Sequence, residues 1–196
     1  MRTKPMKINR LTEREKEILV QVARAAITAA ASALPLPVID VAKQPQLLQE
    51  KGASFVTLTA EGRLRGCIGT MEAHQPLILD VQEHAVAAAM SDYRFSPVRP
   101  EELAGIQVEI SRLTPLAALP YHGSDQLLAA LRVGVDGVLI STGSRRATFL
   151  PQVWEQLPRP EEFLSQLCLK MGAAADYWKN HPMDVFTYQV EKFGEE

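Results

Sequence analysis

Cys67 is one of only two cysteines in the chain, and it sits in the run Leu64-Arg65-Gly66-Cys67-Ile68-Gly69. A thiolate is the nucleophilic form of cysteine, and a neighbouring guanidinium favours it. On a regular strand Arg65, Cys67 and Gly69 share one face, with Leu64 and Ile68 on the other. Apolar side chains seek the core, so this phasing turns Cys67 outward beside Arg65. Gly66 and Gly69 would let a ligand or another backbone approach closely. The alternative is a small, inert cysteine packed under a covering helix. A bulge at Gly66 would exchange the two faces.

A nucleophilic thiol needs a base. Of the four histidines, His74 follows the segment most closely and is the candidate base. In Asp92-Tyr93-Arg94-Phe95, Asp92 would serve as a proton carrier and Arg94 as a substrate contact. The other reading is an Asp that caps a turn, paired to Arg94, with Phe95 as an anchor. Glu109 alternates with Val108 and Ile110 and faces away from the core. If that face also carries Cys67, Glu109 is a candidate acid or base. Arg145 and Arg146 would hold an anionic substrate, or simply be solvated at a hairpin tip. Cys168, among Phe163, Leu164 and Leu167, reads as core. Gly134, Gly137 and Gly143 match no nucleotide-binding fingerprint, and no spacing suggests a metal or an organic cofactor.

Around these residues the pattern mixes helices with hairpins. Thr12-Glu13-Arg14-Glu15 is a capping box that opens a helix running to about Ala33. A short helix is expected at Gln46 to Lys51, stopped by Gly52. Ser54 to Thr59 and Arg63 to Gly69 form a hairpin around Glu61-Gly62. A helix from Pro76 to Ala89 and a strand from Gly105 to Leu113 follow. Later come a helix at Asp125 to Arg132, a hairpin of Val138–Ser141 with Ala147–Leu150, and a helix opened by Pro160. One strand, Asp184 to Lys192, closes the chain. Hairpins without strict strand–helix alternation imply an α+β fold with a mostly antiparallel sheet.

With 196 residues, 46% of them hydrophobic, the chain fits one domain, with a larger and a smaller lobe allowed. Residues 1–10 are expected to be mobile. A net charge of −2 argues against nucleic-acid binding, and no apolar run is long enough to span a membrane. Two dissimilar cysteines form no disulfide framework, which points to a reducing, cytoplasmic setting.

Taken in order, Leu64–Gly69, Asp92-Tyr93-Arg94-Phe95-Ser96-Pro97, Val108–Ser111, Gly134–Gly137, Arg146–Val153 and Leu167–Gly172 resemble the AMMECR1 domain, known in prokaryotes as AmmeMemoRadiSam system protein A. The resemblance covers roughly Thr12 to Phe193. Met171 departs from it, standing where many members have alanine. The resemblance implies an α+β fold of two lobes with a cleft, and a signature arginine and cysteine at Arg65 and Cys67. It also implies a Memo-type protein and a radical SAM protein as partners. Two functions fit: a cysteine-dependent enzyme or enzyme component acting with those partners, or a non-catalytic adaptor module that binds them.

Overall fold

A computed structural model describes residues 10–195 of the chain. The mobility expected for residues 1–10 falls, except for Arg10, outside them. The fold is α+β, with antiparallel sheets flanked by helices. The chain divides into two compact units. One comprises the residues up to Thr114 together with those from Glu191 onward; the other is Pro115–Val190.

The first unit opens with α1 (Glu13–Ala31). Its capping box forms as expected: Thr12 Oγ1 accepts from the Glu15 amide at 3.3 Å, and Glu15 Oε2 accepts from the Thr12 amide at 2.8 Å. α2 (Gln46–Gln49) is a single turn. Then come β1 (Lys51–Ala60), β2 (Arg63–Gly69), the two-residue β3 (Gln75–Pro76), α3 (Leu77–Met90) and β4 (Ile106–Leu113). Gly52 does not stop α2. It lies inside β1, where a Cβ would stand 2.7 Å from the Leu77 side chain, so glycine there serves helix–sheet packing.

The first sheet runs β2-β1-β4-β9, with β3 paired to β1. Val56, Leu58, Val108 and Ile110 form a buried core with Leu19, Ala23 and Ile27 of α1 and Ile78, Val81 and Ala85 of α3. The β1–β2 ladder slips by one residue. Leu58 pairs with Gly66 and Thr59 with Leu64, so Arg65 is the extra residue of a bulge. The bulge corrects the expected phasing. Leu64 turns to the outer face and is 44% exposed, whereas Gly66 and Ile68 oppose the buried Leu58 and Val56. Cys67 pairs with Thr57, on the face away from the core.

The second unit contains β5 (Ala117–Ala118), α4 (Ser124–Ala130), β6 (Gly137–Thr142), β7 (Arg145–Phe149), α5 (Pro160–Lys170), α6 (Tyr177–Asn180) and β8 (Asp184–Tyr188). Its sheet runs β5-β8-β6-β7. Its core is aromatic: Trp154 stacks on Phe163 with ring centres 3.7 Å apart, and Phe149 meets Phe163 edge-on at 5.3 Å. Cys168 is fully buried there.

The closing strand expected at Asp184–Lys192 is two strands. β8 ends at Tyr188 in the second sheet, and β9 (Val190–Gly194) belongs to the first. The alternating pattern continues in phase across Gln189, so a change of sheet leaves no mark on it.

Candidate functional site

β2 is an edge strand, and the backbone of Cys67 points outward from that edge. A side-chain clamp meets it. The Cys67 amide donates to Asp92 Oδ2 at 2.9 Å, and Arg94 Nη2 donates to the Cys67 carbonyl at 3.3 Å. Arg94 also holds Asp92 by Nε to Oδ1 at 2.9 Å and Nη2 to Oδ2 at 2.6 Å. Asp92 sits just past the end of α3, in a tight turn closed by the Phe95 amide on the Asp92 carbonyl at 3.0 Å. The clamp stands where another strand would pair, and so protects the edge.

Asp92 is almost fully buried. The Arg94 guanidinium holds its carboxyl far below the usual carboxylate range; burial opposes this, and the amides of Cys67 and Arg94 assist. Such a carboxyl exchanges no protons near neutrality. The expected proton carrier at Asp92 is therefore a fixed anion, in line with the turn-capping alternative.

The Cys67 sulfur is half-buried and accepts from Thr57 Oγ1 at 3.3 Å. Thr57 in turn pairs with Glu109 across β4, so Cys67, Thr57 and Glu109 form one row over three strands. Glu109 is ion-paired with Lys192 of β9 at 2.8 Å. The sequence placed Glu109 on an outward face conditionally; the register puts that face under Cys67.

Arg65 turns to a different partner. Its Nε and Nη2 donate to the two carboxylate oxygens of Glu102 at 2.9 and 3.2 Å, and Nη2 reaches the Pro97 carbonyl at 3.4 Å. Hydrogen bonds from Arg65 and then the Arg99 amide hold the Glu102 carboxyl down to about 2, against the effect of burial. Arg65 is thus a structural tie, and the guanidinium bonded to the Cys67 residue is that of Arg94.

The two glycines also serve packing. A Cβ on Gly66 would lie 2.2 Å from the Ala88 carbonyl of α3, and one on Gly69 2.3 Å from the Ser54 carbonyl and 2.4 Å from the Phe55 ring. The close approach expected of a ligand is made by the protein's own chain. His74 is exposed, with Nδ1 3.0 Å from the Glu72 carbonyl. Arg145 donates to the Gly172 carbonyl at 2.9 Å, tying β7 to the residue after α5's C-terminal turn. Arg146 lies on β7 beside it, so both arginines belong to the second unit.

Sequence reading missed Thr57 and Glu102. It also missed a buried cluster between β1 and α3, in which Ser54 Oγ donates to Asp80 Oδ2 at 2.6 Å and His84 Nδ1 lies 3.3 Å from the same oxygen. Asp80 and His84 are spaced i, i+4 on α3, a signal that was visible. Among the described residues, no three His, Cys, Asp or Glu side chains gather as a metal would require.

Comparison with known proteins decides the family, because the AMMECR1 model matches residues 20–193. The chain belongs to the AMMECR1 family. It is similar to a protein of Methanothermobacter thermautotrophicus, 38% identical over 97% of this chain and 100% of the relative. It is also similar to protein MK0488 of Methanopyrus kandleri, 35% identical over 95% of this chain and 91% of the relative. Among solved structures, it resembles uncharacterized protein PH0010 from Pyrococcus horikoshii, with a TM-score of 0.81 and 32% identity over 95% of this chain and 94% of that one. This AMMECR1 chain has, among its described residues, no helix long and apolar enough to cross a membrane.

Proposed function

We propose that Cys67 is the reactive group of a thiol-dependent enzyme, or enzyme component, acting with a Memo-type protein and a radical SAM protein. One observation carries the reading: a free, half-buried thiol whose peptide is clamped on both sides by Asp92 and Arg94 and whose sulfur is oriented by Thr57. Pre-positioning of this kind is what a reacting group needs. Arg94, rather than Arg65, is the guanidinium bonded to the Cys67 residue.

The test is native-state alkylation with iodoacetamide, with the buried Cys168 as internal control. Cys67 is expected to label in the folded protein at pH 7, about tenfold faster than a cysteine in an unstructured peptide. Labelling only on unfolding overturns the reading.

A second reading is an adaptor module, favoured by Tyr93. This side chain is 94% exposed although both its neighbours belong to the clamp. An exposed aromatic suits a protein interface. A Cys67→Ser variant that keeps all partner-dependent activity supports the adaptor over the enzyme.

A further inference from the structure

A strand at the end of a sheet leaves half of its backbone groups open to pairing with another chain. Three of the strands that end the two sheets are guarded. The Asp92–Arg94 clamp covers β2. β7 carries Arg145 and Arg146, and Lys170 Nζ takes its Thr148 carbonyl at 2.9 Å. β9 carries Glu191 and Lys192. The fourth end is β5, in the second unit.

The Leu119 amide donates to the Val185 carbonyl at 2.8 Å, and Ala117 lies opposite Thr187 of β8. Antiparallel backbones alternate, so Ala117 and Leu119 turn to β8 while Leu116 and Ala118 turn their N–H and C=O groups to the open side. Leu116, Ala117 and Ala118 are all exposed, Leu116 by 40%. The run Pro115-Leu116-Ala117-Ala118-Leu119-Pro120 holds no charge, which separates β5 from the guarded ends. Its two prolines lack an N–H and cannot continue a ladder, so pairing is confined to the residues between them.

This edge is its own complement. A two-fold axis beside Ala117 places Leu116 of one copy opposite Ala118 of the other, and each such pair exchanges N–H···O bonds in both directions. Ala117 meets its own equivalent at the axis, where methyl groups fit the close spacing of a non-hydrogen-bonded pair and no like charges face each other. The same operation on β7 brings arginines together, and on β9 lysines. We infer that β5 is the interface of a homodimer, in which two copies of the four-stranded second sheet join edge to edge. The contact is short and falls below the ~1,200 Å² of a stable interface, so the dimer is weak, with a Kd of about 100 μM. All of its residues belong to the second unit, so it stands apart from the Cys67 reading.

Sedimentation equilibrium of the full chain between about 5 and 500 μM tests it, a span that brackets the expected Kd. The weight-average mass is expected to rise from 21.7 kDa toward twice that value. Two variants locate the contact. Ala118→Pro removes an N–H that β8 does not use and puts a ring in the partner's path. Ala117→Lys sets like charges together at the axis. Each is expected to weaken association about tenfold or more, while the melting temperature of the dilute monomer stays that of the unaltered chain. A monomer throughout the span, or association unchanged in either variant that folds, overturns the inference. If Ala118→Pro does not fold, Ala117→Lys still decides, because that side chain is exposed.

Discussion

Asp92 does with one carboxylate what an edge strand does with a backbone. Its Oδ2 takes the Cys67 amide and its two oxygens take Arg94, which in turn covers the Cys67 carbonyl. Asp92→Asn keeps the shape but loses the charge that strengthens these bonds. It is expected to cost about 2 kcal/mol in urea denaturation and to change the native alkylation rate of Cys67. Glu102 adds an acid dependence. Its folded pKa of about 2 lies below the ordinary 4.5, so the stability it contributes is present above pH 4.5 and is lost as pH falls toward 2. Glu102→Gln is expected to reduce that acid loss, as read from melting temperatures between pH 2 and 5. At this scale the Asp92–Arg94 pair was legible, because two residues of separation fit an Asp-capped turn. Arg65–Glu102 was not. Its partners are 37 residues apart, and Glu102 lies in a short 3₁₀ helix with no periodic pattern to mark it.

Helix α3 decides where the β1–β2 hairpin lies. Gly66 allows the Ala88 carbonyl to approach β2, and Ser54–Asp80 ties β1 to the same helix. Gly66→Ala pushes against backbone, which cannot swing aside. The variant is expected to lose about 1–3 kcal/mol by overpacking, visible in its denaturation midpoint. The helix also carries a pH-sensitive contact. Burial pulls the His84 pKa down, but the Asp80 carboxylate, with help from Glu83, outweighs it and leaves the pKa above the ordinary 6.5. The resulting stability is therefore full below pH 6.5 and fades as pH rises through the raised value. Melting temperature is expected to fall as pH rises above 6.5, and His84→Gln to flatten the fall. Most elements were legible from caps, glycine turns and alternation. Two failures share a physical cause: the Arg65 bulge and the break at Gln189 depend on strand pairing, and a single strand's pattern carries no record of its partner.

The whole molecule is organised by an interruption. β4 ends at Leu113, the chain builds the entire second unit, and β9 then returns to β4's side. Two carboxylates of the returning segment fasten it. Glu191 accepts from the Leu11 amide at 3.2 Å and from Arg112 at 3.3 Å, and Glu195 takes Arg24 and the Val108 amide. Replacing both, Glu191→Ala with Glu195→Ala, is expected to cost several kcal/mol, about 1–3 for each charged hydrogen-bonding group lost. Hydrogen exchange is expected to show the loss first in β4 and the start of α1.

The same return has a consequence for how the protein is made. Arg24 and Glu195 are 171 positions apart, so the first sheet cannot close while most of the chain is still being translated. Until residues 190–194 leave the ribosome, β4 presents a bare edge to solvent or to a chaperone. The usual order, in which the N-terminal part finishes first, is reversed here, and the first unit waits for β9, which follows the whole of the second unit in the chain.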